Sequence, residues 1–158
     1  MGIGQRPWHW FVLAGVIMIA DLVTKEWASA TLVLHQPVEV LPFFNLTLVH
    51  NPGAAFGILA DHPGWQRWFF IALTAIIGGV IAWWLAHGAR GKIGLSAALA
   101  MILGGALGNL VDRVRFGYVV DFLDVHAFGW HWPAFNIADA AITCGAILLI
   151  VITLTGRD

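Results

Sequence analysis

Val119–Asp139 reads VVDFLDVHAFGWHWPAFNIAD, a polar island with an aspartate near each end, Asp121 and Asp139. Ile93–Val111 precedes it and Ile137–Thr155 closes over its last residues. Each of these apolar runs is 19 residues long, close to the ~20 that cross a hydrocarbon core as helix. An acidic pair framed in this way is expected at the edge of a membrane, with the rest of the chain serving to bring Asp121 and Asp139 together.

Composition supports that setting. The 158 residues are 59% hydrophobic and 11% charged, with a mean hydropathy of +0.81, whereas soluble domains carry about 25% charged residues. The chain therefore reads as an integral membrane protein, a single domain over 1–158. A net charge of −1 gives no sign of a nucleic-acid partner. The lone cysteine, Cys144, excludes a disulfide framework and a CxxC metal site, and inside an apolar run it reads as a small core residue.

Two further apolar segments complete the outline. Trp68–Ala86 is a third 19-residue run. Trp8–Ala20 is apolar except for His9, and the pattern continues to Ala30 through Asp21, Lys25 and Glu26. Arg6 and Ala28-Ser29-Ala30 have the outline of a cleavable secretory signal. The charged residues just before that site argue instead for an uncleaved first helix. Four spanning helices put both termini on one side, and Arg6, Arg90, Lys92 and Arg157 make that side cytoplasmic by the positive-inside bias. The bias is weak, since Lys25, Arg67, Arg113 and Arg115 lie toward the other side. The two long polar segments, and with them the aspartate pair, then face outward.

The first of these segments contains Val38–His50, VEVLPFFNLTLVH, rich in β-branched and aromatic residues and partly alternating. It is expected to form a small extracytoplasmic β-element between helices 1 and 2, lying on the bilayer surface or against the helix ends, with Pro42 at an edge or break. Asn51-Pro52-Gly53 signals a turn. The small residues Ala54-Ala55-Phe56-Gly57 beyond it form either a plain loop or the wall of a groove for an extended substrate.

Polar residues at membrane depth need a partner or a purpose. Asp21 and Lys25, four apart, share a helix face and can form an ion pair near the membrane surface. Gly104 and Gly108 make a face for close helix packing. Asn109, Asp112 and Arg113 fall on one helical face and present an amide, a carboxylate and a guanidinium together, either to a substrate or as a solvated helix end. Asn136 is a natural N-cap with Asp139 three residues on, so capping competes with chemistry as the reason for Asp139.

Two carboxylates brought close cannot both ionise comfortably. Such a pair can share a proton, activate water through one member and protonate an amide leaving group through the other. The helix N-terminus favours charge on Asp139, leaving the proton on Asp121. Two alternatives stay open at this point. Asp121, Asp124, His126, His131 and Asp139 supply ligand types for zinc, although without an HExxH spacing, and Trp130 and Trp132 beside the histidines suit an aromatic belt. A small transporter would use Asp21, Asp121 and Asp139 along an ion pathway.

Five stretches in order, Asp21-Leu-Val-Thr-Lys25, Asn51-Pro-Gly-Ala-Ala-Phe56, Gly104-Gly-Ala-Leu-Gly-Asn109-Leu-Val-Asp112-Arg113, Val119-Val-Asp-Phe122 and Phe135-Asn-Ile-Ala-Asp139, resemble the bacterial lipoprotein signal peptidases, the type II signal peptidases. The resemblance covers nearly the whole chain. It implies a metal-free, cofactor-free aspartyl endopeptidase of the bacterial inner membrane with a β-cradle. Its substrates are prolipoproteins carrying a diacylglyceryl cysteine, cut just before that cysteine, with membrane lipid as surroundings and no obligate protein partner. Asp121 and Asp139 match the family's catalytic pair. Asn51, Asn109, Arg113 and Asn136 match positions that hold the peptide, and Asp21, Lys25, Asp112 and Gly105 match positions that support the site. On this reading the middle of Val119–Asp139 is a surface lid or anchor.

Overall fold

A computed structural model describes residues 8–53, 64–89 and 91–156. The loop residues 54–57 and the cations Arg6, Arg90 and Arg157 lie outside the described residues. In chain order the elements are α1 (Trp8–Thr31), β1 (Val38–Leu41), β2 (Phe44–Asn51), α2 (Trp65–His87), α3 (Ile93–Arg115), β3 (Val119–Ala127), β4 (Trp130–His131) and α4 (Ile137–Thr155). The helix over Ile93–Val111 continues four residues further, which keeps Asp112 and Arg113 on helical backbone.

α2, α3 and α4 are each long and apolar enough to cross a membrane. α3 is the centre of the bundle and packs against α1, α2 and α4. Its apolar window is 61% buried, against 17% for α2 and 11% for α4, so the outer helices turn most of their apolar surface outward, as lipid-facing helices do. α1 carries Asp21, Lys25 and Glu26. Its outward side is nevertheless an apolar stripe of Val12, Val16, Ile19, Val23 and Trp27, all exposed, while Asp21 and Lys25 are buried on the inward side.

Glycines on α3 set how closely its neighbours approach. A Cβ on Gly104 would come within 2.6 Å of the Ala14 carbonyl of α1, and one on Gly108 would strike the Asp21 carboxylate. The same atom on Gly105 would strike the Ala138 carbonyl of α4. The Gly104-Gly108 face thus receives α1, and Gly105 receives α4.

The β-element is larger than the sequence suggested. The sheet is antiparallel, ordered β1-β2-β3-β4, so half of its strands come from the α3–α4 connection and only half from between α1 and α2. The N-terminal end of Val119–Asp139 is buried, at Val119, Val120, Asp121 and Phe122, whereas its middle is strand and hairpin with Val125, Ala127 and Phe128 to Trp132 exposed. Pro42 lies in the turn between β1 and β2, where its missing N–H breaks no ladder bond. A register shift between Leu46 and Val49 interrupts β2, which is why Asn45 and Leu48 are both buried despite opposite parity. β3 and β4 are joined by Phe128 and Gly129, both at positive φ (52° and 78°), the signature of a type I′ turn.

Candidate active site

Asp121 is carried into the interior by β3, which pairs with β2 so that Val49 faces Asp121 and Asn51 faces Val119. Asn51 is therefore the diagonal neighbour of Asp121 on the same sheet face, and its Nδ2 donates to Asp121 Oδ2 at 3.1 Å. The amide is oriented by its other end, because Oδ1 accepts the Gly53 N–H at 3.0 Å. Asp121 is 2% exposed. Burial, and then the nearby charge of Asp139, push its carboxyl up to about 7.

Asp139 reaches the same place from the first turn of α4. Asn136 caps this helix: its Oδ1 accepts the Asp139 N–H at 2.9 Å, and its own N–H donates to Asp139 Oδ2 at 3.3 Å. The amide left over faces Asp121, with Nδ2 donating to Asp121 Oδ1 at 2.7 Å. Capping and the carboxylate pair therefore use the same residues. Asp139 Oδ1 accepts a further bond of 2.8 Å from Asn109 Nδ2 on α3.

The face predicted on α3 divides in two. Asn109 and Arg113 line a cavity of about 540 Å³ together with Asn51, Asp121, Asp139 and the segment from Trp132 to Phe135. Asp112 points away from it, accepting the Val120 N–H at 3.0 Å and so anchoring the start of β3. Arg113 reaches Gly53 O through Nη2 at 3.0 Å and lies over Phe70. Its buried Nε–H has no acceptor among the described residues.

Asp21 and Lys25 form the expected ion pair, 2.7 Å long, with both side chains buried between the helices. Lys25 Nζ also meets Asp112 Oδ2 at 3.1 Å and Asn109 Oδ1 at 2.8 Å. Asp21 Oδ1 accepts the Ala138 N–H of α4 at 2.8 Å.

Several features escape a reading of the sequence. Arg67 of α2 donates to the carbonyls of Arg113 and Val114 at 3.0 and 2.8 Å, joining the Gly117 N–H at the first and helping to close the C-terminal end of α3. Among the interfacial residues, Asp124 accepts from Asn45 at 3.0 Å and pairs with His131 Nδ1 at 2.8 Å, while His126 stacks on His131. No three His, Cys, Asp or Glu side chains converge as a metal ligand set among the described residues. Cys144 is not a core residue: it is exposed and lies on the cavity wall beside Thr143.

Comparison with known proteins places this geometry. Residues 13–155 match the family model described as signal peptidase (SPase) II. The chain is 51% identical to a lipoprotein signal peptidase of Alteromonas mediterranea over 139 residues, 88% of this chain and 76% of the relative. It is 52% identical to that of Ectopseudomonas mendocina over 148 residues, 92% and 86% of the two chains. A solved bacterial membrane enzyme, 38% identical, superposes with a TM-score of 0.84 over 93% of this chain and 88% of its own. A second, 34% identical, does so at 0.83 over 92% of each. The chain belongs to the signal peptidase II family, membrane aspartic peptidases of lipoprotein processing.

Proposed function

We propose that the chain removes signal peptides from diacylglyceryl-modified prolipoproteins by cutting just before the lipid-bearing cysteine, with Asp121 and Asp139 as its catalytic pair. The observation that carries this reading is the convergence of both carboxylates on one cavity, each held by oriented asparagine amides. Asp139, charged, takes a proton from water as the water oxygen attacks the scissile carbonyl. Asp121, protonated, gives its proton to the departing nitrogen. Its raised affinity for that proton suits the role. The Nε–H of Arg113, without an acceptor among the described residues, is a donor for a peptide carbonyl. Asn51, Asn109 and Asn136 hold the carboxylates and the peptide, while Asp21, Lys25, Asp112 and Gly105 support them.

The whole chain, 1–158, acts as one peptidase domain spanning the bacterial inner membrane four times. The apolar outward stripe of α1 supports its inclusion as the fourth span. Both termini are cytoplasmic and the cavity opens toward the extracytoplasmic side. The substrate's acyl chains remain in the bilayer while the peptide enters the cavity, so binding itself positions the scissile bond.

The test is cleavage of a diacylglyceryl prolipoprotein by purified protein in detergent. Asp121→Asn and Asp139→Asn are each expected to remain folded and lose activity, and a chelator is expected to leave the wild type unchanged. Full activity in either variant refutes the pair. Loss on chelation points to a metal hydrolase, and absence of cleavage by the wild type refutes the peptidase reading.

A further inference from the structure

An ammonium group has three N–H donors and no acceptor. Lys25 Nζ has three close acceptors, Asp21 Oδ2 at 2.7 Å, Asn109 Oδ1 at 2.8 Å and Asp112 Oδ2 at 3.1 Å. An oxygen therefore stands near Nζ for each donor, at a side chain only 3% exposed, with hydrogen-bond geometry at Asn109 and ion-pair contact at the two carboxylates. One of the three acceptors is unlike the others, since a carboxylate offers oxygen on both sides whereas an amide offers oxygen on one side and N–H on the other.

Because Lys25 can only donate, it requires the oxygen of Asn109, and the Nδ2 end is then turned toward Asp139 Oδ1, 2.8 Å away. Reversed, the amide would set N–H against the ammonium and oxygen against the carboxylate, losing both bonds and adding two repulsions. Each of the other two site amides is oriented by a backbone N–H on its oxygen, Gly53 for Asn51 and Asp139 for Asn136. Among the described residues Asn109 Oδ1 receives no backbone donor, only Lys25 and a longer contact of 3.3 Å from Asn136 Nδ2.

We propose that Lys25 is a positioning residue for the peptidase reaction: its ammonium fixes which end of the Asn109 amide faces Asp139, and so holds that carboxylate where it takes the proton from water. This rests on the peptidase reading above and goes beyond a supporting ion pair. Lys25 is not among the described residues that line the cavity, and it acts through Asn109. A residue that merely balanced charge would be replaceable by any arrangement that left the bundle neutral and packed.

That difference gives the test. Asp21→Asn/Lys25→Met/Asp112→Asn removes all three charges at nearly constant volume, leaving oxygens to accept the Ala138 and Val120 N–H groups. It is expected to fold, to keep KM within about twofold, and to lose tenfold or more in kcat, the order seen when a preorganised donor is lost. Lys25→Arg provides a second route should the neutral variant fold poorly. It keeps the charge, but a planar fork does not place three donors on converging acceptors, and the same loss in kcat at unchanged KM is expected. Wild-type kcat in a folded form of either variant overturns the proposal, as does a loss confined to KM. Wild type assayed alongside separates the two ideas: no cleavage there refutes the peptidase reading itself, whereas cleavage by wild type and both variants alike refutes only the role of Lys25.

Discussion

Asn136 and Asp139 are bonded to each other twice, side chain to backbone in both directions, and the amide left over from that exchange is the one that donates to Asp121. The start of α4 and the carboxylate pair are thus one structure. Asn136→Ala should lose the cap, about 1–2 kcal/mol, together with activity. Asn136→Ser restores an oxygen for the Asp139 N–H, but its single short hydroxyl replaces neither the position nor the second donor of the Nδ2 group at Asp121. Thermal unfolding in detergent should recover most of the stability, while cleavage stays at least tenfold below wild type, roughly the effect of one lost oriented donor. A fully active serine variant would show the Nδ2 donor to be dispensable.

Asp121 makes stability depend on pH in a direction opposite to an ordinary paired carboxylate. Its folded carboxyl is raised from 3.8 to about 7, so the folded protein binds the proton more tightly than the unfolded chain. That contribution is fully present below 3.8 and is lost as pH rises through about 7. Melting temperatures of wild type and Asp121→Asn, measured across this window, should diverge, with wild type losing ground to the variant as pH rises. Parallel curves would contradict the raised affinity.

The contact of α3 with α4 predicts a contrast between glycines. Gly105→Ala drives a methyl into the Ala138 carbonyl, displacing the turn that carries Asp139. It should destabilise by about 1–3 kcal/mol and impair cleavage. Gly79→Ala on α2 meets nothing within 4 Å and should leave stability unchanged or slightly raised. Equal effects at the two positions would show that the helix contact is looser than described.

At the hairpin tip Phe128 holds φ 52° with its ring fully exposed. A bulky side chain is costly in that region, by roughly 1 kcal/mol, whereas asparagine tolerates it and Asn-Gly is a favoured type I′ pair. Phe128→Asn should therefore raise the unfolding temperature in detergent. A fall would mean that the ring makes a contact worth more than the strain.

The sequence made the local parts of this architecture legible. Asn136 and Asp139 stand at capping-box spacing, Asp21 and Lys25 one helical turn apart, and Asn109 and Arg113 on one face of α3, so each follows from helical periodicity. The hidden parts are non-local. Lys25 meets Asn109 across 84 positions and Asn51 meets Asp121 across 70, and no spacing rule encodes either. β3 is not legible as a strand because Asp121 and Asp124 interrupt its apolar residues and its partner β2 lies far away in the sequence. Cys144 was misplaced for another reason: in a bilayer an apolar environment lies outside the bundle as well as inside, so an apolar run no longer implies a core position.

The bond from Asp21 to the Ala138 N–H joins the first helix to the beginning of the last, 117 positions apart. During synthesis the Asp21 carboxylate therefore precedes that N–H group by most of the chain, and until then Lys25 is its ion-pair partner among the described residues. The two aspartates of the cavity cannot be aligned before α4 docks against that waiting carboxylate. On the proposed catalytic role of Asp139 the order of assembly follows: the site is complete only when the final helix has docked against the first.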